Sequence, residues 1–511
     1  MHLLYILINL VYTPRRHDWP TSVRFEQAFE LMDVHIPHII ISGILSLVKT
    51  WGLLISDVSL LVTPIIVCKW RLAGIHEALG TSSLFFGHLL SIYPWEIAAR
   101  LIGRKTCLLI GITWIALCSH LLSNMSTLMT YMVMRFLMGS GLGCLYITNI
   151  IIKEIIRNPE IYILKTILNS TLVFGKIFGS LYAGGLFVSS DGWRSYHQKC
   201  AYLALPLFIL VLVFVPETPH FFMSWDDPSN AENSLRKLNP ELMETFSLKA
   251  VEHAHKRKLP IEICLEERPT IASLTMITIL SFIFLLISIL NSSVLLMFIE
   301  KLRVYPYKDC QLDDVEDCHL LDQYDFWQIS ILAFDIGYGI LQSQFMMYMF
   351  SLHQTLLICL LITMISSAIF YMCTDFYLLM FFTLVAKVFL TTAMIILTDR
   401  LKQIAGIHPF YKGGRIAMIA KQFGWILSTF LISWLYKTDP LASELLLTGL
   451  AMFAIIFLFF LKFELIEIKS GAEDLFLEEE VIEEEKRLLV FEEEAVEESN
   501  SSFSSERDTS A

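Results

Sequence analysis

The sequence predicts an all-α membrane protein, with twelve transmembrane helices in two six-helix bundles. Three observations predict it. Hydrophobic residues make up 55% of the 511 positions and charged residues only 17%, which is too little polar surface to cover the core of a water-soluble chain. Long apolar runs recur twelve times. One long polar interior stretch, 216–270, separates those runs six and six.

A span needs roughly 20 mostly apolar residues to cross about 30 Å of hydrocarbon. In the first half such runs centre on 39–66, 78–99, 106–123, 128–152, 163–188 and 198–215. In the second they centre on 271–298, 326–350, 354–374, 376–398, 413–436 and 443–463. They must be helices, because lipid offers no partner to an unpaired backbone N–H or C=O. The chain then divides into an N-terminal segment 1–37, a first bundle 38–215, a central loop 216–270, a second bundle 271–463 and a tail 464–511. Two six-span halves suggest pseudo-repeats around a central site, the plan of many secondary transporters.

Charge needs to be divided in the same way. The tail from Glu464 holds 17 acidic and 4 basic residues, a net of −13, so the remainder, at 34 basic and 33 acidic, carries +1. Neither part has the basic surface that nucleic acid requires. Lys and Arg near span ends set orientation. Arg100, Arg104, Lys105, Lys153, Arg157, the basic residues of the central loop, Arg400, Lys402 and Lys412 all fall on one side. That side reads as cytoplasmic, with both termini on it. The apolar stretch Met1–Tyr12 is too short to span and lacks a preceding basic region. No nucleophile–base pair, phosphate loop or metal cluster stands out, so no enzyme, cofactor or metal site is expected.

Four motifs in order carry a resemblance. Gly103-Arg104-Lys105 follows span 2, and Arg135, Gly139, Gly141 and Gly143 form R-x-x-x-G-x-G-x-G in span 4. Gly192-Trp193-Arg194 precedes span 6 and Pro216-Glu217-Thr218-Pro219 follows it. Together they resemble the sugar-porter and organic-ion branch of the major facilitator superfamily. Cys68-Lys69-Trp70-Arg71-Leu72 and Asp322-Gln323-Tyr324-Asp325 look most like the synaptic vesicle 2-related proteins within it. The resemblance covers about residues 21–470. It implies a twelve-helix transporter-like protein of the plasma membrane or of vesicle or endosomal membranes.

Departures from the pattern are as informative. The family loop reads D-R-x-G-R-K, and its acid, which helps lock the two bundles in one state, is Arg100 here, followed by Leu101. Glu96 lies one turn earlier and can pair with Arg100 at i,i+4. The equivalent second-half loop, Phe350-Ser351-Leu352-His353-Gln354, has no Gly-Arg-Lys. Relatives carry two acids in span 1 where this chain has Gly52 and Ile55.

Ionisable residues inside a span cost several kcal/mol, so they face a cavity or a partner. Lys49 and Asp57 in span 1, Arg135 in span 4, Lys176 in span 5, Asp335 in span 8, Lys387 in span 10 and Lys421 in span 11 are the deep ones, five cations against two anions. In the superfamily's arrangement those spans line or border the cavity. Surplus cation suits an organic anion. Lys421, or its neighbour Gln422, falls where resembling anion transporters place Arg. The competing reading pairs Lys49 with Asp57, and Asp335 with Lys387 or Lys421. For Arg135 the resemblance implies a structural role. Asp57 or Asp335 gives a route for proton coupling. Gly175, Gly179 and Gly184 in span 5 are spaced for close helix packing.

Outside the spans, Cys310 and Cys318 lie in the outer loop 299–325, where an oxidising compartment permits a disulfide. A metal site from the same loop is the alternative. In the tail, Leu475, Ile482, Leu489 and Val496 recur every seven residues, a short amphipathic helix able to bind a partner. Glu484-x-x-x-Leu488-Leu489 resembles an acidic dileucine sorting signal. Two functions follow as expectations. One is a secondary transporter of a small organic solute, an organic anion, working by alternating access. The other is a transport-incompetent relative acting as a vesicle-membrane receptor, sorting or scaffold protein.

Overall fold

The computed structural model describes residues 22–23, 36–70, 74–155, 161–187, 191–225, 227–238, 247–248, 271–304, 323–373, 375–404, 410–439 and 441–459. Helices run through all twelve of the expected stretches. In the first half these are span 1 (Ile36–Lys69), span 2 (Gly74–Ile102), span 3 (Arg104–Leu122), span 4 (Leu128–Ile155), span 5 (Ile161–Leu186) and span 6 (Gly192–Phe214). Two short helices, Pro219–Ser224 and Pro228–Leu238, follow. In the second half come span 7 (Ile271–Val304), span 8 in two pieces (Gln323–Ile331 and Phe334–Met349), span 9 (Leu352–Met372), span 10 (Phe376–Ile404), span 11 (Phe410–Thr438) and span 12 (Leu441–Phe459).

Among the described residues, nine helices are both long and apolar enough to cross a bilayer. For two of the other spans the polar content or a break gives the reason. Span 2 is diluted by His76, His88, Pro94 and a run of serines and glycines. Span 8 is broken in the middle. Span 5 contributes the shorter apolar stretch Thr171–Leu186.

Span 2 packs on span 4, span 3 on span 6, and span 1 on spans 5 and 6. In the second half span 7 packs on spans 10 and 11, and span 10 also holds spans 8 and 9. Among the described residues the most extensive contacts between the halves are span 2 with span 11, and span 5 with span 8. Advancing the first-half member by six and the second-half member back by six turns one contact into the other. The halves therefore meet as two repeats would, although no sequence self-similarity signals it.

The glycine motif of span 4 explains the tightest packing. A Cβ on Gly139 would sit 2.0 Å from the carbonyl oxygen of Leu84, and one on Gly87 of span 2 would sit 2.0 Å from that of Phe136. Spans 2 and 4 thus touch backbone to backbone, which only small residues allow. Gly141 makes room for Ile115 and Trp114 of span 3, and Gly143 for Ser91. In span 5, Gly175 and Gly179 make the expected close packing, against Thr50 and Leu54 of span 1.

Near the central stretch, Ser22 and Val23 pair in parallel with Ser247 and Leu248. Chain contacts gather residues 1–454 into one compact unit and 455–511 into a second, whose described residues are helical. Cys310, Cys318, Glu484, Leu488 and Leu489 lie outside the described residues, as does the side chain of Asp57.

Candidate functional site

The strongest concentration of buried charge is built around the break in span 8. The helix stops at Ile331 and restarts at Phe334, which puts Asp335 in the first turn of the second piece. The turn keeps its amides satisfied: Ala333 N–H donates to the Ser330 carbonyl and Asp335 N–H to that of Leu332, both at 3.1 Å. Ala333 keeps right-handed helical angles, φ −65° and ψ −19°, so the break is one tightened turn that leaves Asp335 at the start of a new helical segment. A carboxylate at the start of a helix also meets the positive end of its dipole.

Three other spans converge on Asp335. Lys387 of span 10 places its ammonium 3.3 Å from Oδ2. The same ammonium donates to Asn291 Oδ1 of span 7 at 2.9 Å. Thr391, one turn on, donates its hydroxyl proton to Oδ2 at 3.4 Å. Lys176 of span 5 reaches across from the first half to 3.9 Å from Oδ1. That last distance is electrostatic contact rather than a hydrogen bond, and Oδ1 has no hydrogen-bond donor among the described residues. Side-chain exposure is 3% for Asp335, 4% for Lys387 and 20% for Lys176. Two ammoniums and one carboxylate leave these three groups at +1. Burying such a set costs several kcal/mol per ion, and the attraction within it offsets only part of that.

The other expected cavity residues go elsewhere. Lys49 donates to Asn149 Oδ1 of span 4, beside a hydroxyl contact between Ser46 and Thr171. Lys421 is exposed, lies within electrostatic range of His88 of span 2, and is not among the ion-pair partners of Asp335. Its neighbour Gln422 is buried.

Lys421 belongs instead to the seam between spans 2 and 11. Phe85 stacks on Trp425 with ring centroids 5.1 Å apart, and Leu60 and Ile426 complete an apolar cluster there. About three turns from that stack towards the start of span 11, Arg415 pairs with Glu96 Oε2 at 2.9 Å and lies over the Tyr93 ring at 5.2 Å. Glu96 Oε1 holds Arg100 at 2.8 Å, the expected i,i+4 pair. One buried carboxylate, 3% exposed, therefore ties the first half to the second. The position one turn along, where the family has its acid, is the basic Arg100.

The remaining motif residues form a structural joint. The Glu217 carboxylate accepts from the backbone N–H of Arg104 at 2.8 Å and of Lys105 at 3.1 Å, so the segment after span 6 caps span 3. Arg104 pairs with Glu154 at 3.0 Å and covers the Phe221 ring at 5.6 Å. Lys105 donates to the Leu212 carbonyl. Gly103 stands at φ 102° and ψ 153°, and a Cβ there would lie 2.3 Å from Glu217 Oε2. Gly103→Ala is therefore expected to cost about 1–3 kcal/mol, read as a lower unfolding midpoint in detergent. An unchanged midpoint would contradict this account of the motif. Arg135 is wholly buried, donates to Thr63 Oγ1 at 2.8 Å and to the Gly80 carbonyl at 3.2 Å, and so ties spans 1, 2 and 4.

This arrangement is the major facilitator fold. The xylose transporter XylE from E. coli, in a partially occluded inward-open conformation, superposes with a TM-score of 0.53 over 83% of this chain and 94% of that one, at 15% identity. The nucleoside transporter NupG does so with 0.56 over 83% and 99%, at 13% identity. Residues 71–294 match the sugar (and other) transporter family. The Caenorhabditis elegans protein svop-1 is 25% identical over 177 residues, 34% of either chain. The Xenopus laevis synaptic vesicle 2-related protein is 26% identical over 183 residues, 35% of this chain and 33% of its own. The resemblance read from the motifs is borne out, and the chain is a multi-pass membrane protein similar to these relatives. The match spans about a third of the length of each of the two.

Arg415, Asn291 and Asn149 are the site residues that sequence reasoning missed. Arg415 reads as an ordinary interfacial cation, and Asn291 as a glycosylation sequon misplaced in a span. The only local signal was an amide at helical depth, where a polar side chain needs a partner.

Proposed function

We propose that the protein moves a small organic anion across its membrane by alternating access between the two six-span halves. The observation that carries this reading is the buried Lys176–Asp335–Lys387 cluster, which joins the halves at the break of span 8. A solute carboxylate or phosphate would compete with Asp335 for Lys387 and Lys176, and its arrival would loosen the tie between spans 5 and 8. Two ammoniums stand within reach of one carboxylate, an arrangement in which a solute carboxylate or phosphate can take the place of Asp335. Asp335 is also the carboxylate that a coupled proton would neutralise when a solute takes its ammonium partners. The names of the curated relatives favour a vesicle membrane, and the acidic tail with Glu484, Leu488 and Leu489 is the segment for a sorting or helix-binding partner.

The test is uptake by membrane vesicles bearing wild type or Lys387→Met at equal amounts, read by untargeted metabolite comparison. An anionic solute that differs between the two supports the proposal. A cationic or neutral solute overturns the anion assignment.

A second reading, a receptor or scaffold without transport, is favoured by one observation. The loop between spans 8 and 9 carries only a helix cap, in which Ser351 and Gln354 satisfy each other's backbone amides, with none of the basic residues of its first-half counterpart. Equal metabolite profiles from two equally well-folded variants would favour that reading.

A further inference from the structure

A pocket lies inside the second bundle, enclosed by spans 7, 9, 10 and 12 and separate from the Asp335 cluster. It sits where spans 7 and 9 end and spans 10 and 12 begin, the end of the bundle away from the central polar stretch. Its polar wall is Glu444, Ser366, Ser367 and Thr383, and the rest is apolar, with Met297 and Phe370 prominent. Glu444 is 7% exposed, and among the described residues its Oε2 has no hydrogen-bond partner. A buried carboxylate oxygen left in this way is costly, and such an atom calls for a specific occupant.

The surroundings say which occupant. Ser367 and Thr383 have already donated their hydroxyl protons to the helix carbonyls of Met364 and Leu379, at 2.9 and 2.7 Å. They offer the pocket lone pairs only. Lys301, one turn beyond Met297 on span 7, is the cation whose charge reaches Glu444. Its ammonium is committed to the Phe370 carbonyl at 2.8 Å and to the Phe370 ring at 4.4 Å. Among the described residues no ion pair within 4.0 Å joins Lys301 to Glu444. Among the described residues the walls from spans 9 and 10 present no charged side chain, and Cys373, at the end of span 9, is within range of Lys301. Acceptors therefore outnumber donors around a space for about one water molecule.

We propose that Glu444 is a proton-binding site. The proton adds to Oε2, the carboxylate becomes a neutral acid, and the new O–H donates to a hydroxyl oxygen of Ser367 or Thr383, directly or through one water. A proton needs no further oxygen ligands. An alkali ion would need more oxygen ligands than this mostly apolar pocket supplies. The site is independent of the transport reading, because it asks only that the protein bind and release a proton on the face where span 12 begins.

Infrared difference spectroscopy on the full-length protein in lipid discs tests it, comparing mildly alkaline with mildly acidic buffer. The wild type should gain a carboxylic-acid C=O band that Glu444→Gln lacks, and subtracting one difference spectrum from the other cancels the acidic tail. Asp335→Asn should keep the band. Replacing sodium by choline should leave it unchanged. Ser367→Ala with Thr383→Val should retain the band at a shifted frequency, and this readout stands even if Glu444→Gln folds poorly. Identical spectra for wild type and Glu444→Gln would overturn the proposal, as would a band that follows sodium rather than pH.

Discussion

Lys387→Met is expected to lower the stability of the protein by about 3 kcal/mol, the low end of the cost of breaking a buried ion pair from one side. The variant leaves Asp335 in place, 2% exposed, with Lys176 at 3.9 Å as its remaining listener across the halves. It also strips the ammonium from Asn291. The thermal midpoint in detergent should fall by several degrees. The double variant Asp335→Leu, Lys387→Met should recover most of that loss, since well-packed apolar pairs replace buried ion pairs at little net cost. Solute flux should not recover with it, because stability and recognition rest on the same atoms for different reasons. A single variant as stable as wild type would show that Lys387 is not paired as described.

The second large effect concerns the latch between spans 2 and 11. Arg415→Ala is expected to free the second half from Glu96, and alkylation of a Phe85→Cys reporter, at the ring that stacks on Trp425, should rise about tenfold, equivalent to about 1.4 kcal/mol of lost closure. Phe85 is 6% exposed in the structure, so labelling reports opening rather than surface chemistry. Arg100→Ala should do much less, since its i,i+4 pair with Glu96 is partly solvated and worth about 0.3–0.5 kcal/mol. The ordering of the two variants is the informative result. If Arg100→Ala opens the seam more than Arg415→Ala does, the closing charge sits at the family position after all, and Glu96–Arg415 is incidental.

Much of this fold could be read from one dimension, because lipid makes helix length and apolarity nearly sufficient evidence. The long polar stretch 216–270 was enough to divide the halves. What was not legible has a common cause. The break in span 8 runs through Ser330-Ile331-Leu332-Ala333-Phe334, with no Gly or Pro to announce it. Span 2 is too polar to look like a strong span because it is buried against both span 4 and span 11, and helix neighbours rather than lipid set its composition.

The site was legible as residue types but not as partnerships. Lys176, Lys387 and Asp335 stood out as charges at depth, and Asp335 with Lys387 was one of the pairings open from sequence. Lys421 was drawn in by position along span 11 and turned out to lie on the seam. Glu96 was legible as half of a local pair with Arg100, whereas its partner Arg415 is 319 residues away. Glu444 sits at the edge of its apolar run, where the sequence carries no sign of a buried partner. Only the packing of spans 7, 9, 10 and 12 reveals that it is buried.

The most direct test of the central claim is metabolite uptake into sealed vesicles carrying wild type, Lys387→Met or the Asp335→Leu, Lys387→Met pair, each matched for folded protein. The account predicts one or more anionic solutes accumulated by wild type and by neither variant. Accumulation by the double variant at the wild-type level would contradict it, and so would identical profiles for all three.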